Sequence, residues 1–192
     1  MQDDYRKCKQ YRVSYAEDRT QAFKNSLIGL PGIESAAHAE TIPGRIWGQS
    51  PIGVASGPSD LSVPMSRMYA GFGYLETLGI KIIRGRTLNE SFGTDSVAVV
   101  LSESAVAALQ LDDPLGQEIS HRDNGLTYTI AGVIEDINIE SLHSAREPVV
   151  IFGPDPEYSN RPRQLFVVRL KAGMTDQGVA ASSLTRAPVY CR

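Results

Sequence analysis

The strongest apolar pattern in the chain runs from Tyr128 to Phe152. Tyr128, Ile130, Gly132 and Ile134 alternate with Thr129, Ala131 and Val133, a β-branched-rich run that suits a buried or half-buried strand. Glu135-Asp136 ends it. After a polar segment, Glu147-Pro148 opens a second apolar run, Val149 to Phe152, with proline at the first strand position, where its missing donor costs least. The two runs are predicted as strands of one sheet. A different periodicity governs the start of the chain: Phe23, Leu27 and Leu30 recur at i, i+4 and i+7, with Glu17, Asp18, Arg19 and Lys24 on the other side. This predicts a helix over about 16–30, with acidic residues in its first turn and Pro31-Gly32 as its stop. A strand from Ile33 to Ile42 follows, broken by Pro43-Gly44.

The middle of the chain is less regular. Residues 45–70 hold Gly48, Pro51, Gly53, Gly57, Pro58 and Pro64, which predicts two irregular strands around a loop at Ser56 to Asp60. Tyr74 to Leu78 reads as a short helix capped by Gly79, then a strand Ile80 to Ile83 and a turn at Gly85. Val97 to Leu101 is a compact strand, and Ser102 suits the N-cap of a helix reaching Leu109, with Ala105, Val106 and Leu109 as its buried stripe. Strands at Glu118 to His121 and Thr127 to Glu135 should pair across Asp123-Asn124-Gly125, a strong hairpin signal. The three prolines in 153–163 mark a loop, and Gln164 to Leu170 alternates as a last strand. A further helix is expected from Asp176 to Leu184.

Composition narrows the function classes. The 192 residues are 42% hydrophobic, enough for a sizeable core, and a net charge of −3 with interspersed signs leaves no basic stripe for nucleic acid. No run approaches the ~20 apolar residues that span a bilayer, and the start lacks the charged-then-apolar form of a signal peptide. Taken alone, that pattern suggests a soluble cytosolic chain. Cys8 and Cys191 are too few for a disulfide framework, and His38, His121 and His143 lack metal-ligand spacing.

Several stretches invite a chemical reading and do not sustain it. In Gly71 to Gly79 the third glycine of a dinucleotide fingerprint would fall at Glu76. The adjacent carboxylates Asp112-Asp113 lie in a polar turn with no candidate acid or nucleophile nearby. Glu140 and His143 match half of a di-iron motif that needs a second copy and further glutamates. Ser141 and His143 are close in sequence, but no nucleophile elbow, P-loop or Cys-His pairing accompanies them. Trp47, the single tryptophan, is expected to pack. No catalytic, cofactor-binding or metal-binding residue is therefore assigned, no cofactor is implied, and the chain is expected not to be an enzyme.

Four ordered segments carry a resemblance: GFGYLETLGIKIIRGRTL from Gly71, VAVVLSESAVAAL from Val97, DPLGQEI from Asp113 and GVIEDINIESLHSAREPVVIF from Gly132. Together, over about 19–173, they resemble the MacB-like periplasmic core domain of FtsX-like ABC transporter permeases, most nearly those of Bacteroidetes-type bacteria. The resemblance implies an α/β (α+β) fold with mixed sheets in two lobes. A porter-like lobe would take about 16–70 and 145–184 and a small α/β lobe about 71–144, between a leader at 1–15 and an atypical tail at 185–192. It implies an extracytoplasmic domain of an inner-membrane protein, on the periplasmic side. Such a domain transmits the motion of a cytoplasmic ABC ATPase to a periplasmic protein, peptide or lipid-linked cargo, in efflux or in lipoprotein or peptide handling. It also implies a permease dimer and no nucleic acid. In the same reading Arg84 and Arg86 flank a recurrent turn as structural ion-pair partners. A domain spliced between two membrane helices should bring the region near Ala16 beside the segment after Gly173, with no ordered Cys8–Cys191 disulfide. The alternative is a free-standing periplasmic ligand- or protein-binding module.

Overall fold

The computed structural model describes residues 8–13, 17–41, 48–58, 62–137, 147–154 and 164–171. The chain divides into two compact units: residues 1–40, 70–80 and 156–192 form one, and residues 41–69 and 81–155 the other. The fold is mixed α+β, as expected.

The first unit is a three-stranded antiparallel sheet in the order β1 (Cys8–Val13), β10 (Gln164–Leu170), β2 (Ile33–Ala39). Helix α1 (Glu17–Ile28) lays the predicted stripe on it: Leu27 is buried with Ile33, Ala36, Phe166 and Val168, and Phe23 and Leu30 pack around them. The Phe23 and Phe166 rings meet edge-to-face at 4.9 Å, a favoured geometry for two quadrupoles. Helix α2 (Tyr74–Leu78) ends in a left-handed Gly79, and the Ile80 amide reaches back to the Leu75 carbonyl at 2.9 Å. That is a Schellman closure. Gly71 is required for space, since a Cβ there would lie 2.1 Å from Cε1 of His38.

The second unit is built on a seven-stranded sheet in the order β5 (Ile82–Gly85), β8 (Leu126–Ile134), β6 (Ala98–Ser102), β9 (Val149–Phe152), β4 (Val63–Tyr69), β3 (Gly48–Val54), β7 (Glu118–His121), with a further pairing of β7 to β8. That last pairing closes six of the seven strands into a ring, leaving β5 outside it on β8. The nine residues of β8 make this feasible: Leu126 to Thr129 hold β7, while Gly132 to Ile134 hold β5. At the β5 crossing Gly85 faces Gly132, and a Cβ on Gly132 would meet the Arg86 carbonyl at 2.3 Å. Helix α3 (Glu103–Ala108) packs across β6, β8 and β9.

Expected and observed organisation differ in instructive ways. The strands at 128–134 and 149–152 do share a sheet, but β6 lies between them. Val133, Ile134, Val150 and Ile151 are buried. Strand β5 starts two residues later than the apolar pattern suggested, because the closure of α2 takes up Gly79 and Ile80. The hairpin forms around a four-residue loop, Arg122 to Gly125, one residue longer than the expected Asp123-Asn124-Gly125 turn, since His121 pairs with Leu126 and Gly125 donates to the His121 carbonyl.

The expected 71–144 lobe requires correction. Residues 70–80 belong with α1, β2 and β10, whereas 41–69 and the strand at 149–152 join the ring. The cause is pairing between distant strands, β4 with β9 and β3 with β7, to which local periodicity is blind.

Candidate functional site

The stretch with the most distinctive sequence is anchored by a set of serine hydroxyls. Asp136 stands just before residues 138–146 and Glu147 just after them. Ser102 caps α3, its Oγ accepting from the Ala105 amide at 3.3 Å. The same oxygen accepts from the Val149 amide at 3.0 Å and lies 2.9 Å from Ser104 Oγ. Ser104 in turn donates its hydroxyl to the Glu147 carbonyl at 3.1 Å and its amide to Asp136 Oδ1 at 2.9 Å. Ser66 on β4 donates to Glu147 Oε2 at 3.0 Å, and its amide binds the Pro148 carbonyl at 2.9 Å. Both ends of the segment are thereby tied to β4, β6 and the first turn of α3. Chemically this is a mooring: the Ser102 and Ser104 hydroxyls fix backbone groups, and the Ser66 hydroxyl fixes the Glu147 carboxylate.

Two ion pairs brace the neighbouring loop. Arg84 reaches Asp113 at 2.9 Å on the surface, a contact of small energetic value in water. Arg86 binds Asp95 with both nitrogens, Nη2 at 2.8 Å from Oδ1, while the Asn89 amide donates to Oδ2 at 2.8 Å. The Asp95 side chain is 1% exposed. Burial pushes its pKa up, but the Arg86 hydrogen bonds, the Asn89 amide and the Arg86 charge outweigh that and hold it below the usual carboxylate range. Phe92 covers the Arg86 guanidinium, 4.0 Å from ring centroid to Cζ.

Inside the ring, Tyr69, His121 and Tyr128 surround Phe152 with centroid distances of 4.9, 5.5 and 4.7 Å. Because β7 and β9 are not neighbours, His121 and Phe152 meet only across the interior. In the first unit, burial and the nearby Lys24 lower the His38 pKa to about 4. Among the described residues no group of three or more His, Cys, Asp or Glu is placed to hold a metal ion, and no helix is long and apolar enough to cross a membrane.

The profile of the MacB-like periplasmic core domain matches residues 9–184. The chain belongs to that family. No curated protein sequence matches it. Among solved structures it is similar to the periplasmic region of MacB from Actinobacillus actinomycetemcomitans (TM-score 0.62, 17% identity, 88% of this chain and 77% of that one). It is also similar to a domain of a putative permease protein from Porphyromonas gingivalis (0.60, 19%, 90% and 78%). A third is the extracellular domain of the noncanonic ABC-type transporter YknZ from Gram-positive bacteria (0.58, 12%, 86% and 83%). At these identities the likeness concerns the fold.

Several residues singled out in the sequence now have places in this MacB-like periplasmic core domain. Arg84 and Arg86 are structural ion-pair partners, as the resemblance implied. Asp113 is the exposed partner of Arg84. Glu76 lies within α2, where a phosphate-binding glycine would have been needed. Trp47, Glu140, Ser141, His143, Cys191, Ala16, Gly173 and the helix expected at 176–184 lie outside the described residues. Sequence reasoning found the cap at Ser102 but missed its second role, holding Val149. It also missed Ser66, Ser104 and Asp95. The short S-x-S spacing of Ser102 and Ser104 was the available signal, and only tertiary structure shows what faces it.

Proposed function

We propose that this domain is the extracytoplasmic part of an FtsX-like ABC transporter permease in the inner membrane, and that it relays ATP-driven motion to a periplasmic partner or cargo. The relay would serve efflux or the handling of lipoproteins or peptides, with the ATPase on the cytoplasmic side and a second permease copy completing the complex. Membership of the MacB-like periplasmic core domain family supports this, as do neighbours described as a permease domain and a transporter's extracellular domain. The observation that carries it is a register: β1 runs antiparallel to β10 with Cys8 opposite Arg169. The polypeptide thus arrives and departs side by side at one end of the sheet, the arrangement needed for insertion between two consecutive membrane helices. The hydrogen-bonded ring adds a stiff body suited to passing on a displacement.

The test is made on the parent reading frame. It should encode apolar spans of ~20 residues on both sides of this domain, and protease added to spheroplasts should cut the domain in the intact protein. Absence of the spans, or protection of the domain, would overturn the proposal in favour of a free-standing module. In the same reading the domain does no chemistry itself, so titration calorimetry with ATP or zinc should give no micromolar binding; such binding by either would refute it.

A further inference from the structure

His121 lies on the strand that closes the ring. Four-residue β7 pairs with β3 on one side, through Ile52 opposite His121, Gly53 opposite Ser120 and Val54 opposite Ile119, and with β8 on the other. Without β7, the remaining pairings leave an open sheet running β5-β8-β6-β9-β4-β3. The seam between β3 and β7 is bracketed by two hydrogen bonds, from the Arg122 amide to the Pro51 carbonyl at 3.0 Å and from the Ala55 amide to the Glu118 carbonyl at 2.9 Å.

The His121 imidazole is 2% exposed and lies against Phe152, and neither ring nitrogen has a hydrogen-bond partner among the described residues. A neutral imidazole tolerates such a site at some cost, but an imidazolium there would carry a buried charge with no side-chain acceptor on either nitrogen among the described residues. Its surroundings offer little relief. Strand β3 sets Ile52 opposite His121 and β9 presents Phe152, neither of them charged, while β8 brings the Tyr128 phenol. Strand β4 brings the Tyr69 phenol and the Arg67 guanidinium, and the hairpin loop brings Asp123 and Arg122. Burial lowers the His121 pKa. Asp123 and the residue's own backbone oppose this, Arg67 reinforces it, and the balance stays below the ordinary histidine value.

We propose that His121 is a proton-operated latch on the β3–β7 seam: neutral, it completes the aromatic packing inside the ring, and protonated, it leaves that packing for water and the seam opens. The sign follows from linkage. Above pH ~6.5 the imidazole is neutral in the closed and open forms alike, so closure is independent of pH. Below that value the open form takes up the proton first, and the opening constant rises up to about tenfold per pH unit until the closed-state pKa is reached.

Hydrogen exchange of the whole 192-residue chain, followed by NMR at pH 7.5 and 5.5 and corrected for intrinsic exchange, tests the latch. Protection of the Ala55 and Arg122 amides should fall, by up to about tenfold, between the two conditions, while that of Ser66, bonded to Pro148 across the ring's other side, should not. In His121→Gln, which cannot titrate, the fall should vanish. Unchanged protection in the wild-type chain, an equal fall at Ser66, or the same fall in His121→Gln would each overturn the proposal. Should that variant not fold, the wild-type His121 Cε1–H resonance decides: a midpoint below ~6.5 accompanied by loss of seam protection supports the latch, and a midpoint at or above it refutes the latch.

Discussion

Replacing Ser102 by alanine removes one oxygen that serves two backbone donors. The first is the Ala105 amide in the opening turn of α3, and loss of an N-cap acceptor costs about 1 kcal/mol. The second is the Val149 amide. Val149 is fully buried at the start of β9, so its N–H would lose its partner without gaining water, at about 1–3 kcal/mol. The pairing with Ser104 Oγ goes as well, which weakens the tie to Glu147. Together these predict a loss of about 2–4 kcal/mol. In urea, with a slope of about 2 kcal/mol/M, the midpoint of the transition involving the ring should fall by about 1–2 M. Ser102→Gly separates the two contributions. Glycine is nearly as good an N-cap, costing only a few tenths of a kcal/mol, so the glycine variant should keep most of the loss if Val149 dominates. A loss below about 0.5 kcal/mol in Ser102→Ala would refute the reasoning, because it would mean that the Val149 amide has another partner or reaches water.

Other perturbations test other parts of the structure. Val150→Asp places an unpaired charge at a fully buried position of β9 and should cost several kcal/mol in denaturant unfolding; an unchanged midpoint would contradict the central placement of β9. Gly132→Ala puts a Cβ 2.3 Å from the Arg86 carbonyl and should cost about 1–3 kcal/mol by overpacking, so a neutral result would show that β5 can retreat from β8. His38 binds its proton only near pH 4 in the folded chain against an ordinary 6.5. Stability should therefore decline as pH falls from 6.5 towards 4 and level off below, by up to about 3 kcal/mol. Urea midpoints across that range should flatten in His38→Gln, and a decline of the same size in the variant would exclude His38 as its source.

The sequence by itself determined the elements whose cause is local. Phe23 and Leu27 share the sheet-facing stripe of α1 because helical geometry alone brings them together, and Leu30 joins them two residues past its end. Gly79 ends α2 because it adopts φ 72 without a side-chain clash. Ser102 caps α3, and Asn124-Gly125 turns the hairpin, through contacts made within a few residues. The family was legible for a related reason. Gly132, Asp136 and Pro148 each answer a backbone demand, respectively close approach to β5, an acceptor for the Ser104 amide, and strand entry beside Ser66. Tertiary structure decided the rest. Nothing in the alternation of β3, β4 or β9 says that β4 runs parallel to β9, or that β7 pairs on both sides and closes a ring. Periodicity identifies the face a strand buries but not the strand beside it. His121 shows the same limit at a single residue. Its spacing in the sequence held no sign of chemistry, and only closure of the ring places its imidazole against Phe152 without a polar partner among the described residues.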